Sequence, residues 1–328
     1  MKTIYNSQIS IFETGSNRFG GTEFMLKNFK EQVLPEIQKI NNYNCILLPG
    51  KISEKKEYYL KSNKQIIIWM HNLIEQFGYV NTTNQSIVQE YLNDLEFVKK
   101  IKYLIVVSQF AKKEILEKTL IDESQIFVIY NAIDPVLNNS NRFKDIKKIK
   151  IMHTSSADRG FEIIAQSLKY IDHDFRLNVF NNIHPDKNQV NDFYKEIYKD
   201  KRLFFYGDTP KKTIMDELST SHIFLYPSIY KETFCLSQVE AISAGCLPIY
   251  RKYGSLEEVS LNSGISYEIE EEKHFSQEHV KIFAEKVNDG IELIKSNVFN
   301  IETKSKEIND LFSWNNFKNS WFQLHKTL

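Results

Sequence analysis

Short runs of apolar, β-branched and aromatic residues recur along the chain, and stretches of mixed polarity separate them. Several runs are apolar at almost every position, such as "QIIIWM" from Gln65 and "IFLY" from Ile223, which is typical of strands buried on both faces of a parallel sheet. Nine strands are predicted, beginning at Cys45, Gln65, Tyr103, Ile126, Ile149, Arg176, Arg202, Ile223 and Cys246. Because most separating stretches are long enough for a helix, the alternation predicts a doubly wound α/β architecture.

The alternation is interrupted once, in the polar, proline-containing segment 134–148, which we interpret as a linker. After about Glu270 no further strand is predicted, and the last segment spaces its aromatic residues as a packed helix does. The predicted organisation is one Rossmann-like domain over residues 1–140, a second over 141–308, and a C-terminal helix over 309–328 that packs back on the first domain.

Composition and charge argue against several classes of protein. The chain has 328 residues with 42 basic and 42 acidic side chains, which argues against broad binding of nucleic acid. Its three cysteines lack metal-ligand spacing, and the N-terminus lacks the apolar core of a signal peptide, so we predict a cytoplasmic protein. The basic amphipathic stretch "FAKKEILEK" allows contact with a membrane surface, but a solvated helix face is the favoured interpretation.

Two carboxylates, Glu232 and Glu240, stand in a segment that is otherwise mostly small or apolar. Glu232 is predicted in the loop after the strand "IFLYPS", with no capping role, at the edge where open α/β sheets bind ligands. Glu240 is predicted one turn into the following helix. Ser237 and Glu240 also spell a capping box, so a purely structural role for Glu240 is the competing interpretation.

The loop between these acids is suited to an anion. The amides of Thr233 to Leu236 precede a helix, and free backbone N–H groups at a helix start attract phosphate. Carboxylates repel phosphate but accept hydrogen bonds from hydroxyl groups. A phosphate flanked by polyols, as in a nucleotide sugar, therefore fits the whole segment.

The segment "KETFCLSQVEAISAGCLPI" resembles the E-x7-E signature of retaining glycosyltransferases of the GT-B fold, family 4. The matching residues are Glu232, Phe234, Glu240, Ala241, Gly245 and Pro248. Cys235 stands where that family usually has glycine. Other segments also resemble the family: "FGGTEF" from Phe19, "HTSSADRGFEII" from His153 and "FYGDTPKKTIMDEL" from Phe205.

The resemblance implies a site. It predicts donor binding by Gly20, Gly21, Thr154, Ser155, Arg159, Gly207, Asp208, Thr209, Lys212, Glu232, Thr233, Phe234, Cys235, Leu236 and Glu240. It predicts catalytic roles for Glu232, Arg159 and His71. Arg159 would bind phosphate, since a cation at a helix start opposes the helix dipole. For His71, an equal alternative is a hydrogen-bonded histidine at the end of a strand.

The resemblance implies a GT-B fold, with two Rossmann-like domains whose parallel sheets face across a cleft. It also implies transfer of a sugar from a nucleotide-diphosphate sugar to the hydroxyl of a glycan, a lipid-linked or a small-molecule acceptor, with retention of anomeric configuration. No metal and no other cofactor is expected. The alternatives are a catalytically silent nucleotide-sugar or glycan-binding subunit of a transferase complex, and an inverting GT-B transferase or epimerase.

Overall fold

A computed structural model describes residues 4–5, 21–40, 45–49, 56–74, 76, 88–138, 140–144, 146–180, 197, 199–207, 209–296 and 298–327. The chain forms two compact units. The first is Met1–Ala132 with Trp314–Leu328, and the second is Ile133–Ser313.

Eleven strands are found in the described residues. They are β1 (Ile4–Tyr5), β2 (Cys45–Pro49), β3 (Gln65–Met70), β4 (Ile101–Val106), β5 (Ile126–Val128), β6 (Ile149–Thr154), β7 (Phe175–Phe180), β8 (Leu203–Phe205), β9 (Ile223–Tyr226), β10 (Leu247–Arg251) and β11 (Ile265–Tyr267). All nine predicted strands are present. Strands β1 and β11 were missed, because two or three residues give no periodic signal.

Helices connect most of these strands. They are α1 (Gly21–Asn28), α2 (Leu34–Ile40), α3 (Lys56–Lys61), α4 (Leu95–Lys100), α5 (Gln109–Lys118), α6 (Phe161–Ser167), α7 (Lys211–Leu218), α8 (Leu236–Ser243), α9 (Leu256–Val259), α10 (Gln277–Lys295), α11 (Glu302–Leu311) and α12 (Trp314–Lys326). A π-helical turn, Phe29–Val33, joins α1 to α2. Short 3₁₀ turns are Glu123–Gln125, Ser140–Phe143, Ala157–Arg159, Leu168–Tyr170 and Glu271–Lys273.

Side chains at the helix starts explain several of these boundaries. The Asp94 carboxylate accepts hydrogen bonds from the amides of Glu96 (2.9 Å) and Phe97 (3.0 Å), so α4 begins at Leu95. The Ser108 hydroxyl accepts from the amide of Ala111 at 3.0 Å and starts α5. Each cap satisfies amides that have no partner inside the helix.

Both units are built on parallel sheets, as predicted. The first sheet has the order β1-β2-β3-β4-β5 and the second the order β11-β10-β9-β6-β7-β8. Every strand pair in both sheets is parallel. Strands β9 and β10 are buried at every position, because the helices of an α/β unit cover both faces of its sheet.

The C-terminal helix α12 belongs to the first unit and completes its core. Trp321 has no exposed surface, and its ring lies 4.6 Å from Phe29 and 5.1 Å from Trp69. The Tyr103 hydroxyl lies 2.8 Å from the hydroxyl of Thr327 just after α12. The aromatic spacing of the tail therefore reflects packing against this sheet.

In the second unit, Arg142 connects the ends of two helices. Its guanidinium donates to the carbonyl of Ser219 at 2.6 Å and to that of Ala244 at 2.7 Å, and these residues cap the C-termini of α7 and α8. A cation is stabilised there by the negative ends of two helix dipoles. Part of the predicted linker thus packs as structure of the second unit.

Replacement of Trp321 should destabilise the first unit. Trp321→Ala is expected to lower its free energy of unfolding by about 3–5 kcal/mol, as for other fully buried aromatic residues. Leu95→Ala is the control, since Leu95 is 61% exposed in the same unit and its loss should change that free energy by less than about 0.5 kcal/mol. Urea unfolding followed by circular dichroism measures both, and equal midpoints would show that α12 is not part of this core.

Candidate active site

The second sheet has a topological switch point between β6 and β9. From β6 the chain continues outward through β7 and β8, whereas β9, β10 and β11 lie on the other side. Ligands of open α/β sheets bind at such a point, outside the carboxyl ends of the strands. The loops after β6, β9 and β10, residues 155–160, 227–235 and 252–255, carry the polar side chains described below.

Two glycines bring these loops into close contact. Gly160 has a φ of +91°, and a Cβ there would lie 2.0 Å from the carbonyl oxygen of Pro227. Gly254 has a φ of +69°, and a Cβ would lie 2.3 Å from the carbonyl oxygen of Glu232. Gly254 and Glu232 also form a parallel β-bridge. Only glycine combines this conformation with such an approach.

Glu232 lies at the centre of this arrangement, in the loop after β9. It is buried, and its Oε1 accepts hydrogen bonds from Arg159 Nε at 3.0 Å and from the Tyr226 hydroxyl at 2.8 Å. Burial raises the pKa of the Glu232 carboxyl, although Arg159 and Tyr226 act to lower it. Glu232 therefore joins the loops after β6 and β9, and its predicted role in the site stays a prediction.

Arg159 ends a 3₁₀ turn after β6, one residue before Gly160. Its Nη1 pairs with the Asp158 carboxylate, and its guanidinium stacks 3.6 Å from the centre of the Tyr230 ring. Burial acts to lower the pKa of Arg159, but Glu232 and other neighbours raise it above its usual value. Arg159 is thus a cation held beside Glu232.

Glu240 is not a helix cap, so the capping interpretation was wrong. The N-cap of α8 is Cys235, and it makes no side-chain cap hydrogen bond. Glu240 lies in the second turn and is buried. Both of its carboxylate oxygens accept hydrogen bonds from Lys211 Nζ, each at 2.5 Å.

Lys211, which was not predicted, contacts Glu240, whereas Lys212, predicted to bind the donor, does not. These are the first two residues of α7 and point in directions about 100° apart. Lys211 reaches Glu240, whereas the side chain of Lys212 is 87% exposed and pairs with Asp216 at 3.0 Å. Which of the two lysines reaches Glu240 depends on how α7 is rotated about its axis relative to α8. That rotation cannot be read from the sequence.

Several other predicted residues surround the two acids. Thr154 ends β6 and is buried, and the Ser155 hydroxyl lies 3.2 Å from that of Tyr226. Thr233, Phe234 and Cys235 are buried, and they lead into α8 at Leu236. Burial raises the pKa of the Cys235 thiol, so an uncharged thiol lines this part of the site.

The loop before α7, whose residues were predicted to bind the donor, is described in part. Gly207 is buried with a φ of +63°, and the Thr209 hydroxyl donates to the carbonyls of Tyr206 (3.2 Å) and Gly207 (3.3 Å). These contacts stabilise a turn before α7. Asp208 lies outside the described residues.

Three predicted residues belong to the first unit. Gly20 lies outside the described residues, and Gly21 is exposed at the start of α1. His71 follows β3, is buried, and packs its ring 4.6 Å from that of Trp69. Desolvation lowers the pKa of His71 to about 3, so its imidazole is neutral near pH 7.

Four residues of this arrangement were not predicted from the sequence: Lys211, Tyr226, Tyr230 and Asp158. Tyr226 carried a signal, because it ends a predicted strand next to the loop that was singled out. Asp158 and Tyr230 matter only because the loops after β6 and β9 fold against each other. Among the described residues, no group of three histidine, cysteine, aspartate or glutamate side chains is arranged to hold a metal ion.

Residues 139–292 match the family model described as "Glycosyl transferases group 1". This match lies within the second unit. No curated protein matches the chain in sequence.

Solved structures show the same fold over both units. A glycosyltransferase from Rickettsia africae has a TM-score of 0.67 and 19% identity over 96% of this chain and 84% of its own. Anabaena HepE in complex with UDP-glucose has a TM-score of 0.64 and 14% identity, with 90% and 81% covered. Sucrose-phosphate synthase from Thermosynechococcus elongatus has a TM-score of 0.66 and 14% identity, with 96% and 82% covered. The fold is thus the GT-B fold of glycosyltransferases.

Within the residues that the structure describes, no helix combines the length and the apolar character needed to span a membrane.

The neighbouring lysines Lys211 and Lys212 provide a matched test of the Glu240 site. Lys211→Ala leaves the buried Glu240 carboxylate without its cation, and we expect a loss of about 1–2 kcal/mol in the free energy of unfolding. This is less than for a fully buried pair, because the Lys211 side chain is 51% exposed. Lys212→Ala should change that free energy by less than about 0.5 kcal/mol. Urea titration of both variants checks this, and equal stabilities would contradict the pairing.

Proposed function

We propose that this protein transfers a sugar from a nucleotide-diphosphate sugar to an acceptor hydroxyl, with retention of anomeric configuration and without a metal ion. The observation that carries the proposal is the pair of buried carboxylates at the switch point. Each is bound to a cation, Glu232 to Arg159 and Glu240 to Lys211. The family match over residues 139–292 supports the same activity.

The two carboxylates are assigned different parts of the donor. Glu232 accepts hydrogen bonds from hydroxyl groups of the transferred sugar, and Glu240 accepts from the ribose hydroxyls, where Lys211 now binds. Thr154, Ser155 and the backbone from Thr233 to Leu236 surround the diphosphate. Residues 207–212 contact the base, with Lys211 turned toward the site and Lys212 away from it.

Arg159 supplies the positive charge for the leaving group. A planar guanidinium binds phosphate oxygens through two parallel hydrogen bonds, and Arg159 already lies in the site, with its Nε 3.0 Å from Glu232 Oε1. Negative charge grows on the diphosphate as the glycosidic bond breaks, and a preorganised cation stabilises that charge. This supports transfer without a metal ion.

Retention requires the acceptor to attack from the face that the leaving group vacates. In the proposed step the bond from the anomeric carbon to the phosphate oxygen breaks. The acceptor oxygen then bonds to the same carbon on the same face, and its proton passes to the departing phosphate. No covalent glycosyl-enzyme forms. The resemblance of residues 232–248 to the retaining E-x7-E signature supports this assignment.

His71 stays a prediction as a residue that contacts the transferred sugar. Because its pKa is lowered to about 3, it would act there as a neutral hydrogen-bonding group. The proposed acceptors are a glycan, a lipid-linked or a small-molecule hydroxyl compound, and the proposed location is the cytoplasm.

The donor is identified by thermal stabilisation with UDP-glucose, UDP-N-acetylglucosamine, GDP-mannose and ADP-glucose. A ligand that binds only the folded state raises the melting temperature. UDP-sugars come first in the panel, because HepE was solved with UDP-glucose. Proton NMR of the product with the best donor then gives the anomeric configuration. A product of inverted configuration would contradict retention, and binding without transfer or hydrolysis would favour a silent subunit.

The Glu232 role is tested with Glu232→Gln. An amide keeps the shape but loses the charge, and hydrogen bonds to charged groups are worth about 1.5–3 kcal/mol. We therefore expect kcat/KM to fall about 10- to 100-fold.

Glu240→Gln should instead weaken binding of the free nucleoside diphosphate. Glu268→Gln is the control, since the Glu268 side chain is 78% exposed, and normal transfer by Glu232→Gln would refute the assignment.

Metal independence is tested by dialysis against EDTA. Because Arg159 and Lys211 supply positive charge at the site, transfer by the dialysed protein should stay within about twofold of the untreated rate. Addition of Mg²⁺ or Mn²⁺ should not raise it further. A strict requirement for either ion would contradict the proposed metal independence.

A further inference from the structure

We propose that Tyr226 is a positioning residue for Glu232. It binds one carboxylate oxygen, Oε1, and so leaves Oε2 directed at the sugar. This inference rests on the proposed function and adds to it a residue that acts through Glu232.

The geometry of the Glu232 carboxylate is asymmetric. In the part of the chain that the structure describes, both donors, Arg159 Nε and the Tyr226 hydroxyl, reach Oε1. The Glu232 side chain is only 10% exposed. A carboxylate oxygen that already accepts two hydrogen bonds has little capacity for a third in a buried site. The remaining oxygen is the one available to a ligand hydroxyl.

Tyr226 is well placed to fix this orientation. It is the last residue of β9 and only 2% exposed. Its ring lies 5.8 Å from Phe224 and 6.3 Å from His153, and its hydroxyl lies 3.2 Å from that of Ser155. The hydroxyl therefore cannot swing away from Glu232 without repacking the core of the second unit.

Arg159 cannot serve as the sole anchor. A bound diphosphate would attract its guanidinium, since arginine binds phosphate as well as carboxylate. The Tyr226 hydroxyl carries no charge and does not compete for the phosphate. It can hold Glu232 while Arg159 turns toward the leaving group, so the sugar-binding oxygen stays in place during the reaction.

The same contact affects the ionisation of Glu232. The groups that face it are Arg159 and Asp158 from the turn before α6, Tyr226 from β9, Tyr230 from the following loop and Cys235 at the start of α8. Burial raises the pKa of Glu232, while Arg159 and the Tyr226 hydrogen bond oppose that rise. Loss of the Tyr226 hydroxyl should therefore raise the pKa further.

The test compares Tyr226→Phe with Tyr250→Phe. Tyr250 is an equally buried tyrosine of the same sheet, and its hydroxyl accepts a hydrogen bond from Ser260 at 2.7 Å. Each variant loses one buried hydroxyl, but only Tyr226 contacts Glu232. Transfer is measured with the best-binding nucleotide sugar of the panel above, and binding of the matching free nucleoside diphosphate is measured by calorimetry.

Tyr226→Phe is expected to lower kcat/KM about tenfold or more, as for loss of a hydrogen bond to a charged group. Its affinity for the free nucleoside diphosphate should fall less than kcat/KM does, because Glu232 contacts the sugar and only the weaker 3.2 Å contact to Ser155 lies on the diphosphate side. The loss should be greatest at low pH and shrink as the pH rises, since Glu232 must be ionised to accept from hydroxyls. Tyr250→Phe should change none of these quantities.

A second measurement needs no donor. Carboxyl-carbon NMR of glutamate-labelled protein follows Glu232 through a pH titration, and Glu232→Gln identifies its resonance. An upward shift of its pKa in Tyr226→Phe, absent from Tyr250→Phe, supports the contact even if no nucleotide sugar of the panel binds. An unshifted pKa overturns the proposal, and so does wild-type kcat/KM in Tyr226→Phe when Glu232→Gln is impaired.

Discussion

The ion pair between Arg159 and Glu232 is the interaction on which the site of the second unit depends. It joins the loop after β6 to the loop after β9, and these two strands flank the switch point of the sheet. Breaking a buried pair leaves an uncompensated charge, which is strongly destabilising. The pair therefore holds the polar groups of both loops at one place. It also keeps them on the part of the sheet where α/β proteins bind ligands.

The pair is possible only because the backbones of the loops approach closely. Gly160 lies against Pro227, and Gly254 lies against Glu232 itself. Any side chain at either glycine would collide with a backbone carbonyl. The close approach also buries Glu232, so its charge is stabilised by Arg159 and Tyr226 rather than by water. The close approach of the loops and the burial of the Glu232 charge thus both depend on Gly160 and Gly254.

The site combines rigid and exchangeable contacts. Tyr226 and the glycines belong to packed backbone and aromatic core. Arg159 and Lys211 are long side chains whose present partners, Glu232 and Glu240, are carboxylates. Long cationic side chains can exchange a carboxylate for a phosphate, because both are oxygen anions that accept charge-assisted hydrogen bonds. This division suits the proposed binding and release of an anionic donor.

The sequence by itself determined the class of fold, because buried parallel strands are apolar on both faces and helices between them are not. It also determined that Glu232 and Glu240 are functional candidates, since charges in a mostly apolar segment are costly without a purpose, and that Arg159 is one, since a cation at a helix start opposes the helix dipole. Only the tertiary structure decided that Glu232 is paired, that Lys211 rather than Lys212 reaches Glu240, and that Tyr226 contacts the site. These facts depend on how α7 is rotated about its axis and on contacts between loops that are far apart in the sequence. A linear pattern records which face of an element is apolar, but not which partner a polar side chain meets.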